Sequence, residues 1–150
     1  MSRHAATSPR PVPMTVFVDT SAYFALTVPD DQNHTAARAT RRRLQNGRAR
    51  LYTTRYILAE THALLVARRR NAVDALRALR TIEASRTLVI SATEADEEAA
   101  RAILERYDDH LFSLTDAVSF AIMERLRIEA VFTFDADFAE YGLTVLRPEP

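Results

Sequence analysis

The chain has 150 residues, with no cysteine, two glycines and six prolines, 47% hydrophobic and 27% charged residues, a profile that fits one compact domain. The lack of cysteine excludes a disulfide framework and a thiolate zinc site, and no apolar run approaches the roughly 20 residues that span a bilayer, so a reducing, cytoplasmic setting without a membrane is expected. All 20 basic residues are Arg, which excludes chemistry that requires a lysine: P-loop NTPases, Schiff-base enzymes, and aspartyl-phosphate phosphatases and receivers.

Residues 1–13, MSRHAATSPRPVP, hold three of the prolines and no hydrophobic period, and read as a disordered tail or an extension from a distant start codon, with no apolar stretch of secretory-signal type. The domain, residues 14–150, opens with a β-branched and aromatic run, Thr15 to Asp19, that predicts a strand. A helical segment ends at Asn46 with Gly47 as its C-terminal stop, and a second strand is expected over Leu51 to Thr54. Helices follow over Tyr56 to Arg69 and, after an Asn71 cap, over Ala72 to Ser85; the pair predicts a protruding hairpin with Arg68, Arg69 and Arg70 near its tip. A strand at Thr87 to Ser91 precedes helices capped by Thr93 and Ser113, over Glu94 to Tyr107 and Leu114 to Arg127. Two last strands, Ala130 to Phe134 and Thr144 to Arg147, flank a short helix leading to Gly142. Strands alternating with helices predict an α/β three-layer sandwich with a mainly parallel five-stranded sheet flanked by helices.

In such a sheet ligands bind at the carboxyl edge, where strands end and helices begin. Asp19 ends the first strand in VFVDTS, Glu60 lies early in the helix after the second strand, Asp116 lies in the first turn after Ser113, and Asp135 ends the fourth strand in VFTFDADF. Each has an ordinary reading: Asp116 has capping-box spacing from Ser113, Asp19 and Asp135 are strand-end turn or cap residues, and Glu60 is a solvated helix position, a reading weakened by its place near an apolar face where an unpaired carboxylate is costly. Taken together, four carboxylates mapped to one edge repel one another unless a divalent cation screens them. Oxygen donors without a Cys or His cluster favour Mg²⁺ or Mn²⁺, and such sites serve phosphate chemistry. The four histidines show no ligand spacing.

The strand ending in DTS at Asp19 to Ser21, the Glu60 of YILAET, the SLTDA of Ser113 to Ala117 and the FTFDADF of Phe132 to Phe138 resemble the four acidic motifs of PIN-domain ribonucleases, most nearly the VapC toxins of prokaryotic type II toxin–antitoxin pairs. The likeness runs in order from about Thr15 to Arg147. It implies a Mg²⁺- or Mn²⁺-dependent endoribonuclease, usually a homodimer, neutralised by a small VapB-like antitoxin whose C-terminal segment occupies the active-site groove. Asp19, Glu60, Asp116 and Asp135 match the family's catalytic and metal-binding acids, Glu60 acting directly or through water, and Ser21 and Thr133 match supporting hydroxyl positions. Asp137, two residues past Asp135, is either a further ligand or a cap for the helix leading to Gly142. A housekeeping PIN nuclease of RNA maturation and a non-catalytic PIN-like binding module are the alternatives.

Net charge is zero, yet residues 1–80 carry 14 Arg against five acids and residues 81–150 carry six Arg against 15 acids. Candidate RNA-phosphate contacts therefore fall in the first half, at Arg41, Arg42, Arg43 and Arg55 and at Arg68, Arg69 and Arg70, although consecutive Arg on a helix face different ways.

Overall fold

The structure, a computed structural model, describes residues 12–146. The expected tail lies outside these apart from Val12 and Pro13, and the end of the last expected strand, Arg147, is also outside them. The elements are β1 (Thr15–Val18), α1 (Thr20–Thr27), α2 (His34–Asn46), β2 (Arg50–Thr54), α3 (Arg55–Arg69), α4 (Ala72–Ala84), β3 (Leu88–Ile90), α5 (Glu94–Arg106), α6 (Leu114–Leu126), β4 (Ala130–Phe132), α7 (Asp137–Tyr141) and β5 (Thr144–Val145). The five strands form one sheet in the order β3-β2-β1-β4-β5, and every neighbouring pair is parallel. This is the expected α/β sandwich.

Sequence explains the central position of β1. Helices cover both faces of a parallel sheet, so its inner strands are apolar throughout rather than alternating. In β1, Val16, Phe17 and Val18 are all buried, as are Val131 and Phe132 of β4. Val18 pairs with Phe132, so the ends of β1 and β4 lie side by side. From the next helix layer Phe120, Ile122 and Met123 of α6 are fully buried, each such side chain contributing about 1.5–3 kcal/mol of burial energy. The two buried faces of α6 explain why eight consecutive residues, Asp116 to Met123, are inaccessible.

The cap residues fall where the sequence placed them: Asn71, Thr93 and Ser113 each accept a backbone N–H through the side chain, and Gly47 ends α2. The α3–α4 hairpin also forms, with Arg70 as a left-handed C-cap. Three details differ. A separate helix, α1, follows β1 after a single residue, and stops before Pro29, whose ring keeps Val28 extended. Strand β4 ends at Phe132 rather than Phe134, because the Phe134 N–H is drawn to Ser21 Oγ (2.9 Å) and leaves the ladder. Strand β3 is trimmed at both ends to Leu88–Ile90.

Candidate active site

The carboxyl ends of β1 and β4 set the site. Asp19 leaves β1, is 3% exposed, and serves as the N-cap of α1. Its Oδ2 accepts from Ser21 Oγ (2.9 Å), Thr133 Oγ1 (2.8 Å) and the Ser21 N–H (3.4 Å). Each hydroxyl has one proton and spends it on Asp19, so the 3.0 Å approach of Ser21 Oγ to Thr133 Oγ1 is the third side of a triangle and adds no further bond. The hydroxyl lone pairs are filled in turn: Phe134 N–H donates to Ser21 Oγ and Asp135 N–H to Thr133 Oγ1 (3.0 Å). Ser21 and Thr133 thus hold Asp19 in one orientation and tie it to the loop that carries Asp135.

Asp116 enters from the start of α6. It completes a capping box with Ser113: Ser113 Oγ accepts from the Asp116 N–H (3.0 Å), and Asp116 Oδ2 accepts from the Ser113 N–H (3.1 Å). The capping reading of Asp116 is therefore correct, and the same carboxylate also belongs to a cluster. Oxygens of Asp116, Asp135 and Asp137 lie within 4.8 Å of one another. Asp135 Oδ1 accepts from the Asp137 N–H (2.9 Å), forming the turn into α7, whose N-cap is Ala136 with no side-chain bond. Asp137 does not cap that helix; its side chain joins the acids instead.

Electrostatics follow from this crowding. Burial pushes the Asp116 carboxyl up to about 7, the Ser113 backbone bond works against it, and the charges of Asp19 and Asp135 push it further up. Asp19 is also raised, by burial, against the pull of Thr133 and Ser21. Burial raises Asp137 too, with Asp135 adding to the effect and a hydrogen bond with Asp116 opposing it. Carboxyls raised above their ordinary range are what burial and converging like charges produce without a counter-ion.

Glu60 stands apart from this group. It is half-buried on α3, beside the inward stripe of Ile57, Leu58, Thr61 and Leu65, and lies outside the 4.8 Å cluster. The arginines also separate. Arg55, the first residue of α3, is at the carboxyl edge, where its Nε donates to Ser91 Oγ (3.0 Å) at the end of β3. Arg68, Arg69 and Arg70 are at the far end of the same helix, roughly 20 Å away at 1.5 Å per residue, where Arg69 pairs with Asp30 (2.9 Å). Arg41 and Arg42 are exposed on α2 and Arg43 is half-buried there. Nothing in the sequence marks His110, whose ring stacks on Phe112 in the α5–α6 loop.

A five-stranded parallel sheet whose central strand end carries a hydroxyl-braced aspartate among further carboxylates is the architecture of a PIN domain, and the sequence matches that family over residues 16–143. The chain belongs to the PIN-domain family and, within it, to the VapC-type ribonuclease toxins. Two curated relatives, the 23S rRNA-specific endonuclease VapC20 of Mycobacterium tuberculosis strains CDC 1551 / Oshkosh and ATCC 25618 / H37Rv, are each 35% identical over 136 residues, which cover 89% of this chain and 99% of theirs. The crystal structure of Mycobacterium tuberculosis VapC20, described as a sarcin-ricin loop cleaving toxin, matches with a TM-score of 0.80 at 32% identity, over 89% of this chain and 99% of that one. No helix among the described residues is long and apolar enough to cross a membrane.

Proposed function

We propose that this protein is a Mg²⁺- or Mn²⁺-dependent endoribonuclease and the toxin of a toxin–antitoxin pair. The observation that supports the metal dependence is the convergence of carboxylate oxygens of Asp116, Asp135 and Asp137 within 4.8 Å of one another, with the charge of Asp19 also acting on Asp116. The donor set fits a hard divalent cation, being carboxylate oxygen throughout. Asp116, Asp135 and Asp137 would hold the ion together with Asp19, and Glu60 would act through water. A bound ion of this kind orients and activates a water and neutralises charge on the phosphoryl oxygens.

The chain's own groups do the rest. Ser21 and Thr133 hold the Asp19 carboxylate and keep its partly desolvated charge directed at the site. The Ser113 capping box fixes Asp116 at a helix N-terminus, where the backbone N–H groups favour negative charge. Arg55 at the same edge offers a guanidinium to an RNA phosphate, and Arg41, Arg42, Arg43, Arg68, Arg69 and Arg70 extend the basic surface away from it. An unpaired RNA loop is the proposed substrate class, since sequence-specific RNA recognition targets unstacked loop bases, and the ribosomal specificity of the relatives makes a ribosomal RNA loop the first to try.

The proposed partner is a small antitoxin that inserts a basic side chain, most simply Arg, among the acids, and the proposed assembly state is a homodimer. Partner binding and Mg²⁺ should then compete, and an inhibitor equally effective at every Mg²⁺ concentration acts elsewhere. The acids separate this reading from a non-catalytic module, which has no need to keep them. An RNA cleavage assay in excess EDTA tests the metal: cleavage should vanish and return on adding Mg²⁺ or Mn²⁺, and undiminished cleavage by nuclease-free preparations in the chelator overturns the reading.

A further inference from the structure

The loop between α5 and α6, residues 107–113, ends in the Ser113 N–H that donates to Asp116, so it forms one rim of the acidic site. It is itself held against α7, whose first residue is Asp137: Tyr107 and Tyr141 rings lie 5.3 Å apart and Phe112 meets Tyr141 at 6.3 Å. Within this rim the His110 imidazole stacks on Phe112 (4.9 Å between centroids, 27° between planes) and meets Tyr107 edge-on at 5.4 Å. Its Nδ1 lies 2.8 Å from Asp109 Oδ1. A carboxylate only accepts, so Nδ1 carries the proton and the ring is held in one orientation.

Two leucines follow this ring in the sequence, one and four residues on, and do not share the packing. Leu111 is 98% exposed and Leu114, the first residue of α6, is 45% exposed. A lone exposed leucine means little, but two beside an oriented aromatic ring at the rim of a reactive site form an apolar surface with an edge. The charge around it selects the occupant. Asp108 and Asp109 lie in the loop and Asp137 and Glu140 lie on α7 against it, outnumbering the Arg106 guanidinium that sits 5.3 Å from the Tyr107 ring centroid, so the rim is net acidic and favours the uncharged face of a nucleobase over a phosphate.

We propose that His110, Leu111 and Leu114 form a base-stacking lip that receives the unpaired nucleobase next to the scissile phosphate, extending the His110–Phe112 stack by one ring. The phosphate lies over the acids, the sugar–phosphate strand leaves toward Arg55, and the base turns to the rim formed by the α5–α6 loop. The inference rests on the ribonuclease reading and assigns part of its specificity: the lip holds one splayed base, so the cleaved bond sits beside an unstacked nucleotide.

The test uses a synthetic RNA stem–loop with a mapped cleavage site, and copies of it carrying an abasic ribose at each nucleotide flanking that site. Leu111→Ser removes a side chain with almost no packing to lose, and His110→Ala removes the ring. Both should raise KM roughly tenfold with kcat within about twofold, because stacking binds ground state and transition state alike. With one of the abasic RNAs, wild-type protein should show the same rise in KM, and neither substitution should add to it. Unchanged KM in Leu111→Ser, or a penalty that persists in full on every abasic RNA, overturns the lip while wild-type cleavage leaves the ribonuclease reading standing. A fall in kcat without a change in KM also overturns it. Wild-type protein that cleaves none of the RNAs overturns both.

Discussion

Two aspartates in this molecule occupy the same local motif and meet opposite fates. Asp96 and Asp116 are each the third residue of a helix, each completes a capping box with a hydroxyl residue, Thr93 or Ser113, and each is buried, at 3% and 7% exposure. Asp96 is met by Arg125, whose Nε and Nη2 reach its two oxygens at 2.7 and 2.9 Å, and the Arg125 bonds are the largest cause of a carboxyl held below its usual range. Asp116 is met by carboxylates and is pushed up to about 7, chiefly by burial and then by Asp19 and Asp135. Local sequence decides that both cap a helix. What faces the cap across the tertiary structure decides whether the aspartate fastens α5 to α6 or stands ready for a cation.

The comparison breaks most sharply on activity. Asp116→Asn should lower RNA cleavage by about 100-fold or more, since it removes a charged oxygen from the proposed cation site. Asp96→Asn should leave kcat within a few-fold of wild type. Equal activity of the two variants would erase the distinction.

Stability should rank them the other way. Asp96→Asn weakens a charge-assisted fork to a guanidinium that is itself 45% exposed, and should cost about 2 kcal/mol, read as a melting midpoint roughly 5 °C lower. Asp116→Asn in metal-free buffer should melt no lower than wild type, because one of several crowded charges is gone while the side-chain volume and the bond to Ser113 remain. A clear loss of stability in Asp116→Asn would mean that its cap matters more than the repulsion around it.

The pH dependence sharpens this further, with opposite signs. Folded Asp116 keeps its proton up to about 7 whereas the unfolded chain loses it near the ordinary value of 3.8, so metal-free stability falls as pH rises through that window and levels above it. Asp96, held low, contributes stability that is present above 3.8 and is lost as pH falls below it. Denaturant melts of metal-free protein should therefore show Asp116→Asn gaining on wild type between about pH 4 and pH 7, and Asp96→Asn converging with wild type only in stronger acid. The smallest effect expected is on metal protection: Mg²⁺ should raise the wild-type midpoint by a few degrees more than that of Asp116→Asn, a ligand of the folded state alone stabilising it by mass action.

Much of this was legible in the residues because it is local. Hydroxyl and amide caps at Asn71, Thr93 and Ser113 announce themselves three residues before the groups they bind, and the strand-to-carboxylate junctions at Asp19 and Asp135 place both acids on the carboxyl edge. What was not legible depends on distant partners. Nothing in the sequence near Asp96 points to Arg125, 29 residues on. That Asp137 does not cap α7 depends on Asp135 taking the turn hydrogen bond first. His110 looks incidental until the rings of its loop meet Tyr141 of α7, and both Asp19 and Glu60, which topology puts at the same edge, lie outside the 4.8 Å group of Asp116, Asp135 and Asp137.

The hydrogen bond from Thr133 to Asp19 spans 114 residues, and β1 takes its neighbours from residues 50–52 on one side and 130–132 on the other. On the ribosome, β1 and β2 can pair as soon as both have emerged, but the second edge of β1 must wait for residues 130–132, about 80 residues further on. Asp116, Thr133, Asp135 and Asp137 are all made late. Until β4 joins β1 the acids cannot converge, so a chain in which that pairing is still to form would be inert, and the proposed antitoxin would have that interval in which to arrive first.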